Sequence, residues 1–327
     1  MHALYAIDKL GNQIQLGISP DPLGKGGEGT IFKVISPTTY SHCCLKVYSE
    51  SYQTYDRYHK IKYMLLKKPD PHILQQSQLC WPIAEAQSEK GFIGFLMPMA
   101  FAGSVELYHF IKLKRSHHLT SQWDKFFDNS PESCDLRLKL CLNVCIAVQM
   151  LHRKDKYAFV DLKPQNIMTN LQGKVSIVDI DSIQIQRKTG RGFYARVNTA
   201  EYTPPEGMKI RVKENIVSLE WDRFSLAVIL YQLMFGIHPY MASFKAPYEQ
   251  LTALYDYIAE DLFVHGRYAS LIKSCPSLHN RFFRLHPEIK ALFMQAFSSP
   301  LDRPSAQLWG ETLFKHISNN SHELKFI

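Results

Sequence analysis

The N-terminal part of the chain alternates apolar and polar positions over short runs, a pattern that is typical of β-strands. Residues 3–17 read as a hairpin whose turn lies at 10–12, where the sequence is Leu-Gly-Asn. Further strands are predicted at 30–35, 43–48 and 91–99, and one helix at 53–67. This part of the chain is therefore predicted to be mostly strand.

Beyond residue 105 the pattern changes to helices. Residues 136–151 are apolar on most sides, as expected of a buried helix. Further helical periodicity occurs at 222–235, 248–260, 288–297 and 304–317, whereas 174–186 alternates as a pair of strands would. We therefore predict an α+β fold with two lobes. A small β-rich lobe with one helix spans 1–99, a larger helical lobe spans 100–327, and a cleft between them binds the ligand.

Composition and charge narrow the expected partners. The chain has 327 residues, 46% of them hydrophobic, which is enough for one large core or two modest ones. Its formal net charge of +8 favours acidic partners such as nucleotides, inositol phosphates or anionic membrane surfaces. Nucleic acid is a less expected partner, because aromatic residues do not interleave with the basic runs.

The seven cysteines form no CxxC pair and no zinc-like spacing with histidine, and their odd number argues against a disulfide framework. A reducing compartment is the simplest setting. The N-terminal segment has no apolar signal core, and the longest apolar stretch, 224–240, is too short to span a bilayer. These features predict a cytoplasmic protein without a transmembrane segment.

Three glycines, Gly24, Gly26 and Gly29, form a GxGxxG pattern that is followed by Ile31. Glycines let the backbone approach phosphates, because no Cβ stands in the way. The pattern lies between two predicted strands, which disfavours a dinucleotide-binding fold, and Thr30 stands where a Walker A loop requires lysine. A phosphate-binding turn is the functional interpretation, and a plain hairpin turn is the alternative.

Lys46 lies in the apolar run CCLKVY. A lysine in a buried strand needs an anion, and the α- and β-phosphates of a nucleotide would serve. The alternative is an edge-strand lysine that reaches solvent.

Two short stretches, FVDLKPQN (159–166) and IVDID (177–181), hold the most specific chemistry. They place Asp161, Lys163 and Asn166 close together, with Asp179 soon after. Such a set can orient a hydroxyl group, hold a phosphate and bind Mg²⁺, which prefers oxygen ligands. Phosphoryl transfer requires this kind of positioning and charge neutralisation.

In their order and spacing, these motifs resemble the eukaryotic-type protein kinase family. FVDLKPQN is similar to the kinase catalytic loop HRDLKPxN, and NTAEYTPPE (198–206) is similar to the GTxxYxAPE segment. WDRFSLAVILYQLMFGIHPY (221–240) resembles the buried helix that begins DxWSLG. LDRPSA (301–306) resembles the late element whose arginine pairs with the glutamate of APE. The resemblance runs from about residue 20 to 310 and implies a bilobal kinase fold.

The resemblance also implies an enzyme that depends on ATP and Mg²⁺, or Mn²⁺ in its place. Asp161 would accept or orient the proton of the substrate hydroxyl, Lys163 would lie near the γ-phosphate, and Lys46 would contact the α- and β-phosphates. The other implied nucleotide and metal contacts are Gly24, Gly26, Gly29, Ile31, the backbone of Pro98 and Ala100 at the adenine edge, Asn166 and Asp179. Thr199 would bond near Asp161 and Lys163, Glu206 would pair with Arg303, and Asp222 would brace the catalytic loop.

Three features depart from the family pattern. Phe159 and Val160 replace the His-Arg before Asp161, and that arginine normally contacts a phosphate on the activation segment, the stretch that leads to TPPE. We therefore expect no activation-segment phosphate to be needed. Asp181 replaces the glycine of Asp-Phe-Gly and either joins the metal ligands or faces solvent. The helix at 53–67 contains no glutamate, so the usual partner of Lys46 is absent, is Asp56, or is supplied from elsewhere.

The leading hypothesis is an atypical serine/threonine protein kinase that acts on a protein substrate and is not switched by activation-segment phosphorylation. A nucleotide-binding pseudokinase scaffold and a small-molecule or lipid kinase are the alternatives. VDIDS (178–182) and YTPPE (202–206) resemble a group of bacterial kinase-like proteins, which implies a bacterial cytosol, or a host cytosol for a delivered protein. One interpretation of the basic runs at 112–118 and 187–196 is that either binds a polyanionic regulator, an inositol phosphate or an anionic membrane surface. The alternative is a solvated loop, or an acidic substrate that docks at 187–196.

Overall fold

The computed structural model describes residues 3–68, 78–128, 130–153, 157–187 and 192–319. The described α-helices are α1 (Tyr55–Leu66), α2 (Pro131–His152), α3 (Glu220–Phe235), α4 (Leu254–Ala259), α5 (Pro287–Ser298) and α6 (Ala306–Asn319). The described strands are β1 (Leu4–Ile7), β2 (Gln13–Lys25), β3 (Gly29–Ser36), β4 (Cys43–Tyr48), β5 (Gln78–Leu79), β6 (Ala84–Ser88), β7 (Gly91–Pro98), β8 (Val105–Glu106), β9 (Tyr157–Ala158), β10 (Ile167–Thr169), β11 (Val175–Ile177), β12 (Gln184–Ile185), β13 (Ser243–Phe244) and β14 (Ile272–Ser274).

The described residues fall into two compact units. The N-terminal unit comprises the residues up to Ala102 together with Val178–Asp181, and the C-terminal unit comprises Gly103–Ile177 and the residues from Ser182 onward. The sequence analysis placed a boundary after residue 99 and assigned 178–181 to the second lobe. The IVDID motif therefore contributes its two aspartates to the N-terminal unit.

The N-terminal unit is built on a closed antiparallel barrel with the strand order β1–β2–β3–β4–β7–β6. The barrel closes because β1 pairs on both sides, with Ala6 opposite Ile14 of β2 and Ala86 of β6. Apolar side chains such as Val34 and Leu45 fill its core and are fully buried. The predicted hairpin corresponds to β1 and the start of β2.

Strands β3 and β7 lie so close to β4 that each needs a glycine at the point of contact. A Cβ on Gly29 would lie 2.3 Å from the carbonyl oxygen of Val47, and a Cβ on Gly94 would lie 1.9 Å from that of Lys46. Neither distance is sterically possible, so only glycine lets β3 and β7 approach here. Lys46 is thereby held in the middle of the sheet, opposite Ile31 on β3.

Helix α1 begins after Thr54, whose hydroxyl accepts a hydrogen bond from the backbone N–H of Arg57. The ring N–H of Trp81 donates to the carbonyl oxygen of Met64 at 2.9 Å and so fixes the helix to the rest of the unit. The buried positions of α1 are Arg57, Lys60, Ile61, Met64 and Leu65. Their spacing of three or four residues places them on one face, so this buried face carries an arginine.

The C-terminal unit is organised around α3, which is buried along almost all of its length and ends at Gly236 in a left-handed conformation (φ 73°). Helix α2 packs against α3 and α6. Strand β10 pairs with β8 and β11, and β9 pairs with β12. No helix within the described ranges is long and apolar enough to cross a membrane.

Two expectations about this region are wrong. The strands at 174–186 do not pair with each other, because the left-handed backbone of Asp179 (φ 58°) and a 3₁₀ turn at Ile180–Ser182 send β12 to a different partner. The helix expected at 248–260 is limited to α4. The residues before it form a turn in which the N–H of Leu251 donates to the carbonyl oxygen of Tyr248.

Candidate active site

The catalytic-loop residues of the C-terminal unit gather around the carboxylate of Asp161. The ammonium of Lys163 lies 2.7 Å from Oδ2, and the hydroxyl of Thr199 donates to Oδ1 at 2.7 Å. Lys163 also donates to the Thr199 hydroxyl at 3.0 Å. Because the Asp161 side chain is only 3% exposed, these contacts fix its orientation, as a group that takes a proton from a hydroxyl requires.

Asn166 lies in the same loop, and its amide is oriented by the backbone. Its Nδ2 donates to the carbonyl oxygen of Asp161 at 2.9 Å. The side-chain oxygen of Asn166 is consequently the atom that remains to bind a cation.

Asp222, at the start of α3, braces this loop. Its carboxylate accepts hydrogen bonds from the backbone N–H groups of Phe159 at 2.6 Å and Val160 at 2.8 Å, and it lies 2.9 Å from Nε2 of His152. Val160 has a φ of 65°, which is unusual for a β-branched residue. The buried carboxylate holds this strained conformation, so the bracing contact expected of Asp222 is present.

The side chain of Val160 belongs to an apolar cluster in place of the ionic contact that an arginine would make. The cluster comprises Ala158, Val160, Ala195, Val212, Val217 and Trp221. Trp221 also donates its ring N–H to the carbonyl oxygen of Val160 at 2.9 Å. The activation segment, through Ala195, is therefore held here by apolar packing.

Arg303 pairs with Glu206, as expected. Two of its guanidinium nitrogens lie 2.6 and 3.0 Å from the two carboxylate oxygens. A further N–H donates to the carbonyl oxygen of Ala296 at 3.0 Å, and the guanidinium is almost fully buried. The pair is bidentate and fixes the end of the activation segment.

In the N-terminal unit, buried charges surround Lys46. We call Glu28, Lys46, Tyr48, Arg57, Asp179 and Asp181 the lysine cluster. The ammonium of Lys46 lies 2.7 Å from Asp179 Oδ1 and 2.7 Å from Asp181 Oδ1. Burial alone would lower the pKa of Lys46, but the two carboxylates outweigh burial and raise that pKa above its usual value. Lys46 is therefore a buried cation, and it does not reach solvent at a sheet edge.

The two aspartates differ in environment. The Asp179 side chain is 32% exposed and that of Asp181 is 1% exposed. Burial raises the pKa of Asp179, and the neighbouring Lys46 only partly offsets this. Burial would also raise the pKa of Asp181, but Lys46, Tyr48 and Arg57 together hold it below its usual value. Asp181 is thus the more firmly ionised of the two.

Of the two alternatives predicted for Asp181, exposure to solvent is wrong, because its second oxygen is also engaged. The hydroxyl of Tyr48 donates to Oδ2 at 2.6 Å, and the guanidinium of Arg57 lies 3.4 Å from the same atom. Asp56 is exposed on the first turn of α1. The carboxylate partners of Lys46 therefore come from outside the helix, from Asp179 and Asp181, a source that the sequence left open.

Arg57 also reaches the glycine bend. Its NH2 group lies 2.6 Å from Oε1 of Glu28, and its side chain is 5% exposed. Burial would lower the pKa of Arg57, but Glu28, Tyr48 and Asp181 raise it. One arginine thus links helix α1, the bend at 26–28 and the 179–181 segment.

The glycine bend leaves backbone open to a ligand. The N–H of Gly26 donates to the carbonyl oxygen of Gly29 at 2.9 Å and closes the bend. A Cβ on Gly24 would meet nothing within 4 Å. At the end of β7, the N–H of Met99 donates to the carbonyl oxygen of His42 at 3.0 Å, so Pro98 and Ala100, on either side, remain the predicted adenine contacts.

Comparison with known proteins decides the family. A family model described as a protein kinase domain matches residues 19–301. The chain belongs to the protein kinase family. The predicted kinase fold, with a β-rich N-terminal part and a helical C-terminal part, is confirmed.

Individual kinases match at low identity. A probable serine/threonine-protein kinase of Dictyostelium discoideum is 24% identical over 241 residues, which cover 72% of this chain and 46% of that protein. Human serine/threonine-protein kinase 16 is 30% identical over 120 residues, which cover 34% of this chain and 39% of that protein. The chain therefore spans less than half the length of these relatives. Both are eukaryotic, so the resemblance to bacterial kinase-like proteins stays a prediction.

A solved structure agrees in fold. The ROP18 kinase domain in complex with AMP-PNP and sucrose matches with a TM-score of 0.63 and 17% identity, over 97% of this chain and 83% of that one. At this identity the likeness shows the fold alone.

Arg57, Tyr48 and Glu28 belong to the site but were not among the residues predicted from the sequence. A usable signal was present for Arg57, because it lies four residues before Ile61 and seven before Met64, on the apolar face of α1. A charged residue at such a position must find a buried partner of opposite charge. Nothing local marks Glu28 or Tyr48, because their partners are distant in sequence.

The chain has three other groups of charged residues, two basic runs and one cluster of two histidines and a glutamate. In the basic run at 112–118, Arg115 pairs with Asp124 and donates to the carbonyl oxygen of Leu119. In the second run, Lys188 and Arg191 lie outside the described residues. His286, Glu288 and His316 gather within 4.8 Å, but the ammonium of Lys315 lies 2.6 Å from the same glutamate, so this group is an ion-pair network.

Proposed function

We propose that this protein transfers the γ-phosphate of ATP to serine or threonine hydroxyl groups of a protein substrate. The observation that carries the proposal is the Asp161 carboxylate, fixed on one oxygen by Thr199 and on the other by Lys163, each at 2.7 Å. This arrangement suits a group that orients a hydroxyl and takes its proton. The protein kinase family and the serine/threonine kinases among its relatives support the same reaction.

The charges needed for this reaction are present among the described residues. Lys163 would neutralise charge on the transferred phosphate, and Lys46 would contact the α- and β-phosphates. Bound Mg²⁺ or Mn²⁺ would supply further neutralisation of the phosphate oxygens. The oxygen donors of Asn166 and Asp179 fit such a hard cation. Gly24 and Gly26 offer exposed backbone to the nucleotide, whereas Gly29 is buried against β4.

The direct test is incorporation of ³²P from [γ-³²P]ATP into general protein substrates and into the protein itself, followed by phosphoamino acid analysis. The control is Asp179→Ala. We expect phosphoserine or phosphothreonine with the wild type and background labelling with the variant. Nucleotide binding without incorporation would instead favour a pseudokinase scaffold, and label confined to lipid or small-molecule fractions would favour the third hypothesis.

Finer features of the proposal concern compartment and regulation. None of the seven cysteines forms a disulfide, which supports a reducing cytoplasm. The polyanionic regulator stays a prediction, and in the first basic run Arg115 already pairs with Asp124. A thermal shift of several degrees with inositol polyphosphate would support that regulator, and an unchanged melting temperature would exclude it.

A further inference from the structure

The family resemblance implies that a glutamate on helix α1 pairs with Lys46, and the lysine cluster contains other carboxylates in that role. In the described part of α1 no residue offers a carboxylate to Lys46, and the helix instead presents Arg57 to the buried interior. The charge that α1 contributes is therefore positive. A carboxylate for Lys46 has to come from another segment, and two are present at the same distance of 2.7 Å.

The two carboxylates are not equivalent. Both oxygens of Asp181 are engaged, Oδ1 by Lys46 and Oδ2 by Tyr48 and Arg57, and its side chain is only 1% exposed. Asp179 is about a third exposed. A metal ion that arrives with a nucleotide can reach the exposed carboxylate, whereas Asp181 would first have to give up buried hydrogen bonds.

The charges of the cluster lead to the same distinction. The lysine cluster contains two cations, Lys46 and Arg57, and three carboxylates. Arg57 lies between Glu28 and Asp181, at 2.6 and 3.4 Å. If Asp179 turns to a metal, Lys46 keeps Asp181 as its counter-ion, and Arg57 keeps Asp181 in place.

We infer that Asp181 is the positioning residue of Lys46, held by Arg57 and Tyr48, and that Asp179 alone of the two aspartates serves the metal. This inference rests on the proposed function, because it assigns Lys46 to the phosphates. The carboxylate that positions Lys46 then lies two residues after the metal-binding aspartate. Helix α1 acts on Lys46 indirectly, because its Arg57 holds Asp181.

The test compares two isosteric variants, Asp181→Asn and Asp179→Asn, each alone and combined with Lys46→Met. We expect Asp181→Asn to lower kcat/KM for ATP roughly 10²-fold, since a misplaced lysine is costly. In the Lys46→Met background the same change should cost less than about threefold, because residues that act through one another are not additive. Full multiplication of the two effects would overturn the inference.

A second readout does not depend on activity. Binding of a fluorescent ATP analogue is followed as Mn²⁺ is added. Asp179→Asn should raise the half-saturating Mn²⁺ concentration more than about tenfold, and Asp181→Asn less than about threefold, where tenfold corresponds to about 1.4 kcal/mol. Equal shifts for the two variants would make Asp181 a metal ligand and overturn the inference.

Stability provides the readout if Asp181→Asn folds poorly. Lys46→Met alone would leave Arg57 with three carboxylates, whereas the double variant Lys46→Met/Asp181→Asn leaves it with two, so the double variant should melt at a higher temperature than Lys46→Met alone. A lower melting temperature for the double variant would contradict the pairing. If the wild type transfers no phosphate, the proposed function fails, and the Mn²⁺ titration and melting data still decide the role of Asp181.

Discussion

The catalytic loop of the C-terminal unit and the lysine cluster of the N-terminal unit are assembled in different ways. In the loop, Asp161, Lys163 and Asn166 lie within six consecutive residues, and Thr199 completes the hydrogen bonds. The lysine cluster takes its members from β4, α1, the glycine bend and the 179–181 segment. The local motif keeps the family residues, whereas the assembly of distant segments pairs its buried charges through different residues.

This difference teaches that a missing family residue does not by itself indicate a missing interaction. A buried lysine needs a counter-ion, and the requirement is met by Asp181 although α1 offers an arginine. The replacement of His-Arg by Phe159 and Val160 is different, because there the ionic contact itself is replaced by apolar packing with Ala195.

The largest effect is expected from the loop. Asp161→Asn keeps the shape of the side chain but cannot accept the hydroxyl proton, so kcat should fall roughly 10³-fold. Initial rates with a labelled protein substrate measure this, and an unchanged melting temperature serves as the control. If more than about a tenth of the activity survived, Asp161 would not have the assigned role.

The next effect tests the reversed charge of α1. Arg57→Glu introduces the residue type that the family resemblance implies for this helix, but here it would place a carboxylate beside Asp181 and Glu28. We expect a loss of about 3–5 kcal/mol in unfolding free energy, as for a broken buried ion pair, measured by urea denaturation. Arg57→Lys is the matched control and should lose less, because it keeps the charge. A glutamate variant as stable as the wild type would show that the cluster does not depend on Arg57.

The smallest effect, no change at all, is expected for phosphate removal. Because Val160 contacts the activation segment through apolar packing, treatment of the purified protein with a phosphatase should leave its rate within about twofold. Mass spectrometry before and after treatment verifies that any phosphate has been removed. Loss of activity on treatment would contradict the prediction that the activation segment needs no phosphate.

Much of the fold follows from the sequence, since the strands of the barrel and the buried helices have clear periodicities. The contacts of Asp222 and Arg303 were also expected, because each belongs to a recognisable motif. The strand pairing at 174–186 was not, because it depends on one left-handed residue, Asp179, that alternation does not reveal.

In the candidate site, too, the local features could be predicted from the sequence and the long-range contacts could not. Lys46 and Asp179 could be chosen from local context, but their contact joins residues far apart in the chain. The Asp181 carboxylate is held by Tyr48 and Arg57. Its inward orientation follows only from the burial of all three side chains. Sequence patterns report which residues are buried more readily than which buried charges meet.

The most direct test of the account is a crystal structure of the protein with a non-hydrolysable ATP analogue and Mn²⁺, in which anomalous scattering locates the metal. The account predicts a Mn²⁺ ion bound to Asp179 at about 2.1 Å, with Lys46 still paired to Asp181 and Asp181 still bonded to Tyr48 and Arg57. A Mn²⁺ ion coordinated by Asp181, with Lys46 separated from it, would contradict the account.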